Sequence, residues 1–402
     1  MNLQGVRVLD LTQYLSGPAC TLLLAGLGAD VIKVEPAPGG DASRQLPVVS
    51  GPRSSFYVQQ NRGKRSICVD LSNSESHQLI TDLAGHCDVF VENFSAGVLE
   101  RRGLGHEELR GRYPELIYAS ISAYGRTGSK AHLVGYDLIG QAVAGTVALA
   151  GEPDGAPLAA GAPIADVAAG MMAFGAIASA LYGRVQSGEG QYLDISMVEP
   201  IFNMHPFQIQ GPSVTDGKAR LQRAGRHFGS VPPAGSYQGP EAWLALQVLE
   251  PQWDRLCEAA SAIDLAADPR FQTTQGRADH RNELVDILEQ WMQTFPSDQA
   301  VLDHLEVYRV PAAPIIDPAD AHEHHWFWER GALAVVDDPV HGPVRVPGFP
   351  IHSSAQPRRA EEPQAPFLGQ HNQEVLSDLL GCDDDEVERL RSTGVLHSNP
   401  EG

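Results

Sequence analysis

The stretch Gly161-Ala-Pro-Ile-Ala-Asp166-Val-Ala-Ala-Gly170-Met-Met-Ala-Phe-Gly175-Ala-Ile-Ala-Ser-Ala-Leu-Tyr-Gly183 decides how the rest of the chain is read. It reads as one long helix. Pro163 suits the first turn, where a missing N–H costs nothing. The 17 residues from Val167 to Gly183 carry no charge. A helix apolar all round is expected to be buried. A run this short and this rich in Gly and Ala falls below the about 20 strongly apolar residues of a membrane span. The expectation is a core helix of a soluble domain, with small residues that let neighbouring backbones approach and no membrane partner. Asp166 is the single charge near its start and has two readings. It is a first-turn acid that stabilises the helix, or a carboxylate at the mouth of a buried helix, kept ionised by the dipole and able to attack.

Outward from this helix, short apolar strands alternate with helices. Strands are expected at Val6–Leu11, Val31–Glu35, Ser66–Asp70, Val89–Glu92 and Leu116–Ile121, and another at Gln191–Ser196. Helices are expected from Pro18 to about Gly26 and over Ser74–Ala84. This alternation predicts an α/β protein with a doubly wound, mainly parallel sheet, Rossmann-like in its large domain. Such sheets bind ligands beyond the carboxyl ends of their strands. Thr12-Gln-Tyr-Leu-Ser-Gly17 stands where a G-x-G-x-x-G turn would follow the first strand, so a dinucleotide cofactor is not indicated.

The character changes near Ile209. Residues 234–248 read as a hairpin, and helices follow at Pro251–Ala259, His280–Thr294 and Ser297–Glu306. The prolines of Val310-Pro-Ala-Ala-Pro-Ile-Ile316 confine that segment to a sheet edge. Ala332–Pro350 is again β-like, Gln356–Pro366 is a Pro-rich connector, and Asp384–Ser392 is a terminal helix. The expected domains are a large one over 1–210, a smaller α+β one over 225–325, and a C-terminal segment over 331–402 that returns to the large domain.

The 402 residues carry a formal net charge of −21, which argues against nucleic acid as a partner. Five cysteines, widely spaced and in no metal pattern, read as reduced thiols of a cytoplasmic protein. The first residues enter a strand directly, with no secretory pattern. His322-Glu-His-His325 lacks metal-site spacing and reads as a solvated helix end anchored by Trp326, Phe327 and Trp328, so no metal is expected. Lys33, Arg53, Arg62, Lys64, Arg65, Arg101 and Arg102 crowd the first 102 residues. At the ligand edge of the sheet they could hold phosphates; scattered surface charge is an equal reading from spacing alone.

Several phrases then combine: Val8-Leu-Asp-Leu-Thr12, Leu27-Gly-Ala-Asp-Val-Ile-Lys-Val-Glu35, Asn61-Arg-Gly-Lys-Arg-Ser66, Val91-Glu-Asn-Phe94, Gly135-Tyr-Asp137, Pro163-Ile-Ala-Asp166, Gly188-Glu-Gly-Gln191 and Leu368-Gly-Gln-His-Asn-Gln-Glu-Val-Leu376. In this order and over nearly the whole length, the chain resembles the class III CoA-transferases, which include formyl-CoA and carnitine-type enzymes and are related to α-methylacyl-CoA racemases. The resemblance implies that Asp166 is the catalytic aspartate. It implies transfer of CoA from an acyl-CoA to a carboxylic acid through aspartyl anhydride and aspartyl-CoA thioester intermediates, without a metal or a permanently bound cofactor. Coenzyme A enters as part of the substrate. The resemblance places it along Tyr14, Leu15, Val69, Ser72, Asn93, Phe94, Arg101, Arg102 and Tyr136. Pro36 stands where some relatives have an arginine and Ser72 where some have a lysine, so phosphate contacts are not carried over at those two points. Ala224-Gly-Arg-His-Phe-Gly229 stands in place of the glycine-rich lid of the formyl-CoA branch. An interlocked homodimer is also implied.

The racemase relatives move an α-proton between a histidine and an aspartate. Here their Gly-His-Asp reads Gly135-Tyr-Asp137, and a tyrosine hydroxyl ordinarily loses its proton only near pH 10, about three units too high for a base. This favours transfer over racemisation, although Glu250 in Leu249-Glu-Pro-Gln-Trp253 resembles a racemase support residue. A CoA-binding protein without catalysis is the third reading, and Asp166 argues against it. For the acid, Arg223 and Arg226 are candidate dicarboxylate partners, with surface exposure the plainer reading.

Overall fold

The computed structural model describes residues 2–46, 49–50, 53–228, 232–355 and 361–399. The chain forms two compact units. The first comprises 1–144, 161–204 and 324–402; the second comprises 145–160 and 205–323.

The first unit is organised by β1 (Arg7–Asp10), α1 (Ser16–Gly26), β2 (Asp30–Pro36), α2 (Ser55–Asn61), β3 (Arg65–Val69), α3 (Ser74–Ala84), β4 (Val89–Glu92), β5 (Ile117–Ser122), α4 (Asp137–Ala144), α5 (Ile164–Ser187), β6 (Tyr192–Ser196), α6 (Asn372–Leu380), α7 (Asp384–Ser392) and β7 (Leu396–His397). The seven strands form one sheet in the order β7-β3-β2-β1-β4-β5-β6. β1 to β6 run parallel, and β7 closes the β3 edge antiparallel, Leu396 opposite Val69. This is the doubly wound order, and its switch point lies between β1 and β4.

The two-residue period of a strand explains the layers. Val8, Val31, Val89 and Val91 face one side, where they pack against Cys20 and Leu24 of α1 and the alanines of α5. Leu9, Ile32 and Phe90 face the other, where Leu79 and Ile80 of α3 and Leu376 and Leu379 of α6 cover them. Central strands buried on both faces are continuously apolar for this reason. The C-terminal segment therefore belongs to the first unit's core.

The decisive stretch is helical over 24 residues, four beyond Gly183, and ends where Gly188 turns left-handed at φ 73°. It is not buried all round. Its alanine face packs on α1, while Met171, Met172, Tyr182 and Val185 are exposed, Val185 at 84%. The expectation of all-round burial is corrected: one chain covers only one face. α1 begins at Ser16, ahead of Pro18, since first-turn residues need no intrahelical N–H bond.

In the second unit, Trp243–Gln247 lies between Ala234–Gln238 and Ala312–Pro314 in a three-stranded antiparallel sheet. The proline-containing strand takes an edge, as its missing N–H groups require. The helix expected over 280–294 forms over Arg281–Met292, and a separate short helix, Thr274–Asp279, precedes it. Trp253, Leu256, Leu284, Leu288 and Trp291 form this unit's core. Of the Pro-rich connector, 356–360 lie outside the described residues, as does Gly229 of the lid-like segment.

Candidate active site

A cleft of about 240 Å³ opens at the carboxyl ends of β1, β4 and β5. It is lined by Gln13, Tyr14 and Ser16 after β1, Asn93 and Phe94 after β4, Ser122 and Ala123 at the end of β5, and Tyr136 and Asp166. The position is the switch point, where connections leave the sheet in opposite directions and open a crevice.

The turn after β1 is held rigidly. Asn93 brackets Gln13: the Gln13 N–H donates to Asn93 Oδ1 at 2.8 Å, and Asn93 Nδ2 donates to the Gln13 carbonyl at 2.8 Å. Tyr14 takes a left-handed φ of 64°, and its N–H donates to Asp41 Oδ1. Beneath, the buried Lys33 ammonium donates to the Thr12 carbonyl and pairs with Asp41 at 2.9 Å. The buried Lys64 ammonium donates to Asp10 at 3.1 Å, Thr21 at 2.7 Å and Asn61 at 2.9 Å. Arg53, Arg62 and Arg65 pair with Asp338, Glu362 and Asp30. These five cations are thus committed to the fold, and the expected phosphate-holding cluster is not presented at the sheet edge.

Asp166 lies in the first turn of α5, half-buried. Its carboxyl is pushed up to about 6 by burial and by the charge of Asp137, with a hydrogen bond from Ser16 acting the other way. Asp137 Oδ1 accepts from the N–H of Ala165 at 2.7 Å and of Asp166 at 3.2 Å, so Asp137 is the helix cap. Asp166 therefore does not cap its own helix. The Ile164 and Val167 N–H groups donate to the Ala162 and Pro163 carbonyls. All four N–H groups from Ile164 to Val167 are engaged, so the helix start presents none of them to a ligand. Ser16 stands in the turn Thr12–Gly17 and Asp137 in the phrase Gly135-Tyr-Asp137, but sequence reasoning assigned neither the Ser16 contact to Asp166 nor the capping role of Asp137.

Of the residues named from the sequence, Tyr14, Asn93, Phe94, Tyr136 and Asp166 line this one cleft. Tyr14 and Tyr136 meet edge to face at 5.7 Å, and Tyr136 is 66% exposed. Leu15 is buried under the turn and Val69 lies fully buried in the sheet. Ser72 is exposed, its hydroxyl donating to Asp70. Arg101 is exposed, while Arg102 donates to the carbonyls of Leu71 and Val98. In the second unit, Glu250 accepts from Thr274 at 2.6 Å and pairs with Arg277. Arg223 donates to the carbonyls of Glu152 and Gly155, and Arg226 pairs with Glu289 while lying over the Trp243 ring. Among the described residues, no three His, Cys, Asp or Glu side chains form a group able to hold a metal ion.

A doubly wound sheet opens a ligand-binding crevice at its switch point, and here that crevice holds a carboxylate, as an enzyme of the α/β class would. The sequence profile of CoA-transferase family III matches residues 3–372, and the chain belongs to that family. It is 33% identical to a formyl-CoA:oxalate CoA-transferase of Bradyrhizobium sp. (strain ORS 278), over 98% of this chain and 97% of that one. It is 31% identical to the succinyl-CoA:glutarate CoA-transferase of Mus musculus, over 99% and 91%. A solved CAIB/BAIF family protein from Brucella suis superposes with a TM-score of 0.82 at 31% identity, covering 94% of this chain and 99% of that one. The enzyme is a family III CoA-transferase that uses CoA thioesters as substrates.

Proposed function

We propose that the enzyme transfers CoA between an acyl-CoA and a small carboxylic acid through covalent intermediates on Asp166. The observation that carries this reading is the Asp166 carboxylate in the switch-point cleft, ionised at neutral pH yet raised to about 6 and hence more basic than a free aspartate. An Asp166 oxygen attacks the thioester carbonyl, the C–S bond breaks, and CoA leaves as thiolate with an aspartyl–acyl anhydride behind it. The thiolate attacks the aspartyl carbonyl, the donor carboxylate departs, and an aspartyl-CoA thioester remains. The acceptor carboxylate attacks that thioester to give a new anhydride and the thiolate. The thiolate then takes the acceptor acyl group and frees Asp166. Each step exchanges one acyl bond for another, so no net energy input is needed, which is how nucleophilic catalysis divides a hard exchange.

In this reading CoA lies over the strand ends, beside Tyr14, Leu15, Val69, Ser72, Asn93 and Phe94. Arg101 and Arg102 stand towards the phosphates and Tyr136 towards the thioester. Oxalate and glutarate, the acids named for two relatives, are both dicarboxylates, and a small dicarboxylate is the proposed acid class here. The exposed Met171, Met172, Tyr182 and Val185 face supports an interlocked homodimer, since apolar faces of this kind mark association surfaces. A cytoplasmic location fits the five free cysteines.

The test is intact-protein mass spectrometry after incubation with formyl-, acetyl-, succinyl- and 2-methylacyl-CoA, followed by hydroxylamine or borohydride. An adduct on Asp166, absent from Asp166→Ala, is expected. Exchange of the α-proton of the 2-methylacyl-CoA in D₂O, with no adduct, would replace transfer by racemisation.

A further inference from the structure

We propose that Arg126 is a positioning residue for acyl-CoA: with Glu92 it holds the backbone of Phe94, and so the cleft wall against which CoA lies. This rests on the reading that CoA lies beside Asn93 and Phe94. Glu92 ends β4 and is 3% exposed. Its Oε2 accepts from the Phe94 N–H at 2.8 Å, and its Oε1 accepts from Arg126 Nη2 at 2.5 Å. The same Nη2 donates to the Phe94 carbonyl at 2.8 Å. Both backbone polar groups of Phe94 are thus held by one ion pair. Hydrogen bonds to ionised partners are roughly twice as strong as neutral ones.

Arg126 comes from a different element. It follows β5 in Ala123-Tyr-Gly-Arg126, and its own N–H donates to both carboxylate oxygens of Asp194 on β6 at 2.9 Å. The residue is anchored at β6 and reaches back to β4. Two cleft-lining segments are tied through it: the one from Asn93 to Ala96, and the one after β5 that runs on to Gly135 and Tyr136. Asn93 in turn brackets Gln13, so the same tie extends to the turn after β1. The guanidinium lies so that its Nε is buried and, among the described residues, without a partner. Buried donors are ordinarily paired, so the head group is set by Glu92 and the Phe94 carbonyl rather than by filling every bond. With its backbone fixed, the Phe94 ring keeps only its side-chain torsions, which lowers the ordering cost of binding.

Removing the cation outright would leave Glu92 buried without it, and burial already pushes that carboxyl up. The test therefore uses Arg126→Lys in the full chain, which keeps a charge beside Glu92 but loses the planar head and ends one bond short of Nη2. Coenzyme A itself is titrated by calorimetry with no acid present. Its Kd is expected to rise at least about tenfold. KM for acyl-CoA should rise by a larger factor than kcat falls, as for a contact made alike in ground and transition states. Glu92→Gln keeps one acceptor oxygen, loses the other, and should weaken CoA binding likewise. Arg65→Lys is the comparison: Arg65 pairs with Asp30 where β2 and β3 begin, at the far end of the sheet from the cleft. It should lower Tm and leave Kd for CoA in place. Phe94→Ala completes a double-mutant cycle. It should weaken CoA binding by itself, and Arg126→Lys should then add less than about threefold, because it acts through Phe94. Wild-type CoA affinity in Arg126→Lys, its full loss retained on top of Phe94→Ala, or an equal loss in Arg65→Lys overturns the positioning role. Wild-type affinity in Phe94→Ala would instead overturn the placement of CoA on which the proposal rests, and the proposal with it.

Discussion

Asp137 and Asp166 meet through one hydrogen-bonded turn: the carboxylate of Asp137 accepts from the backbone N–H of Asp166 at 3.2 Å and from that of Ala165 at 2.7 Å. One acid thereby caps the helix that presents the other. Its negative charge, second to burial, raises the Asp166 carboxyl to about 6. Asp137→Asn keeps an oxygen acceptor for the cap and removes the charge. The acid limb of the kcat/KM profile, expected near pH 6 for a carboxylate that must be ionised to attack, should move down by up to about one pH unit. A full pH–rate profile of the variant checks this, and an unmoved limb would detach the limb from Asp166.

The same raised pKa makes Asp166 costly to the fold. Its folded value lies above the unfolded one, so the native state holds the extra proton between about pH 4 and pH 6. Stability from this group is therefore present below pH 4 and lost as pH rises through 6. Asp166→Asn should abolish transfer while stabilising the protein by about 1–3 kcal/mol at pH 7.5, since each tenfold change in proton affinity corresponds to about 1.4 kcal/mol. The gain should shrink towards pH 4. Urea unfolding at both pH values measures it.

Gly170 sets the distance between α5 and α1. A Cβ there would stand 2.6 Å from the Ser16 carbonyl oxygen and 3.0 Å from the Ala19 Cβ. Gly170→Ala must push the helices apart at the point where Ser16 reaches Asp166. A loss of about 1–3 kcal/mol is expected from overpacking, together with a fall in kcat larger than the change in KM for acyl-CoA. Thermal unfolding and steady-state kinetics on one preparation separate the two effects.

Lys64 is enclosed by Asp10, Thr21 and Asn61. Lys64→Met removes the cation and leaves the buried Asp10 carboxylate without it, which should cost about 3–5 kcal/mol. Lys64 holds Asp10 well below the usual carboxylate range despite burial, with Lys33 adding to the effect. The contribution of Asp10 is thus present at neutral pH and lost in acid, so the variant's deficit should narrow as pH falls. Denaturant midpoints from pH 7 to pH 3 provide the check.

Much of the first unit was legible because local rules govern it. The strand β4 and the helices α3 and α7 fall on the residues that hydrophobic period and capping chemistry mark, with Asn73 and Asp383 as side-chain N-caps. The parallel sheet follows from alternating apolar strands and helices. The cations of the first hundred residues were not legible as ion pairs, because Arg53 with Asp338 and Arg62 with Glu362 join segments about 300 positions apart.

The sequence by itself determined an α/β sheet, a long small-residue helix with one acid at its mouth, and, through motif resemblance, the family. Those features are written in local periodicity and in residues whose chemistry is unchanged by their surroundings. Only the tertiary structure decided that Asp137 rather than Asp166 caps the helix, that Lys33 and Lys64 serve the fold, and that α5 leaves an apolar face uncovered. A cap, an ion pair and a buried face each depend on what distant chain segments bring within a few ångströms, and hydrogen bonds are lost beyond about that range.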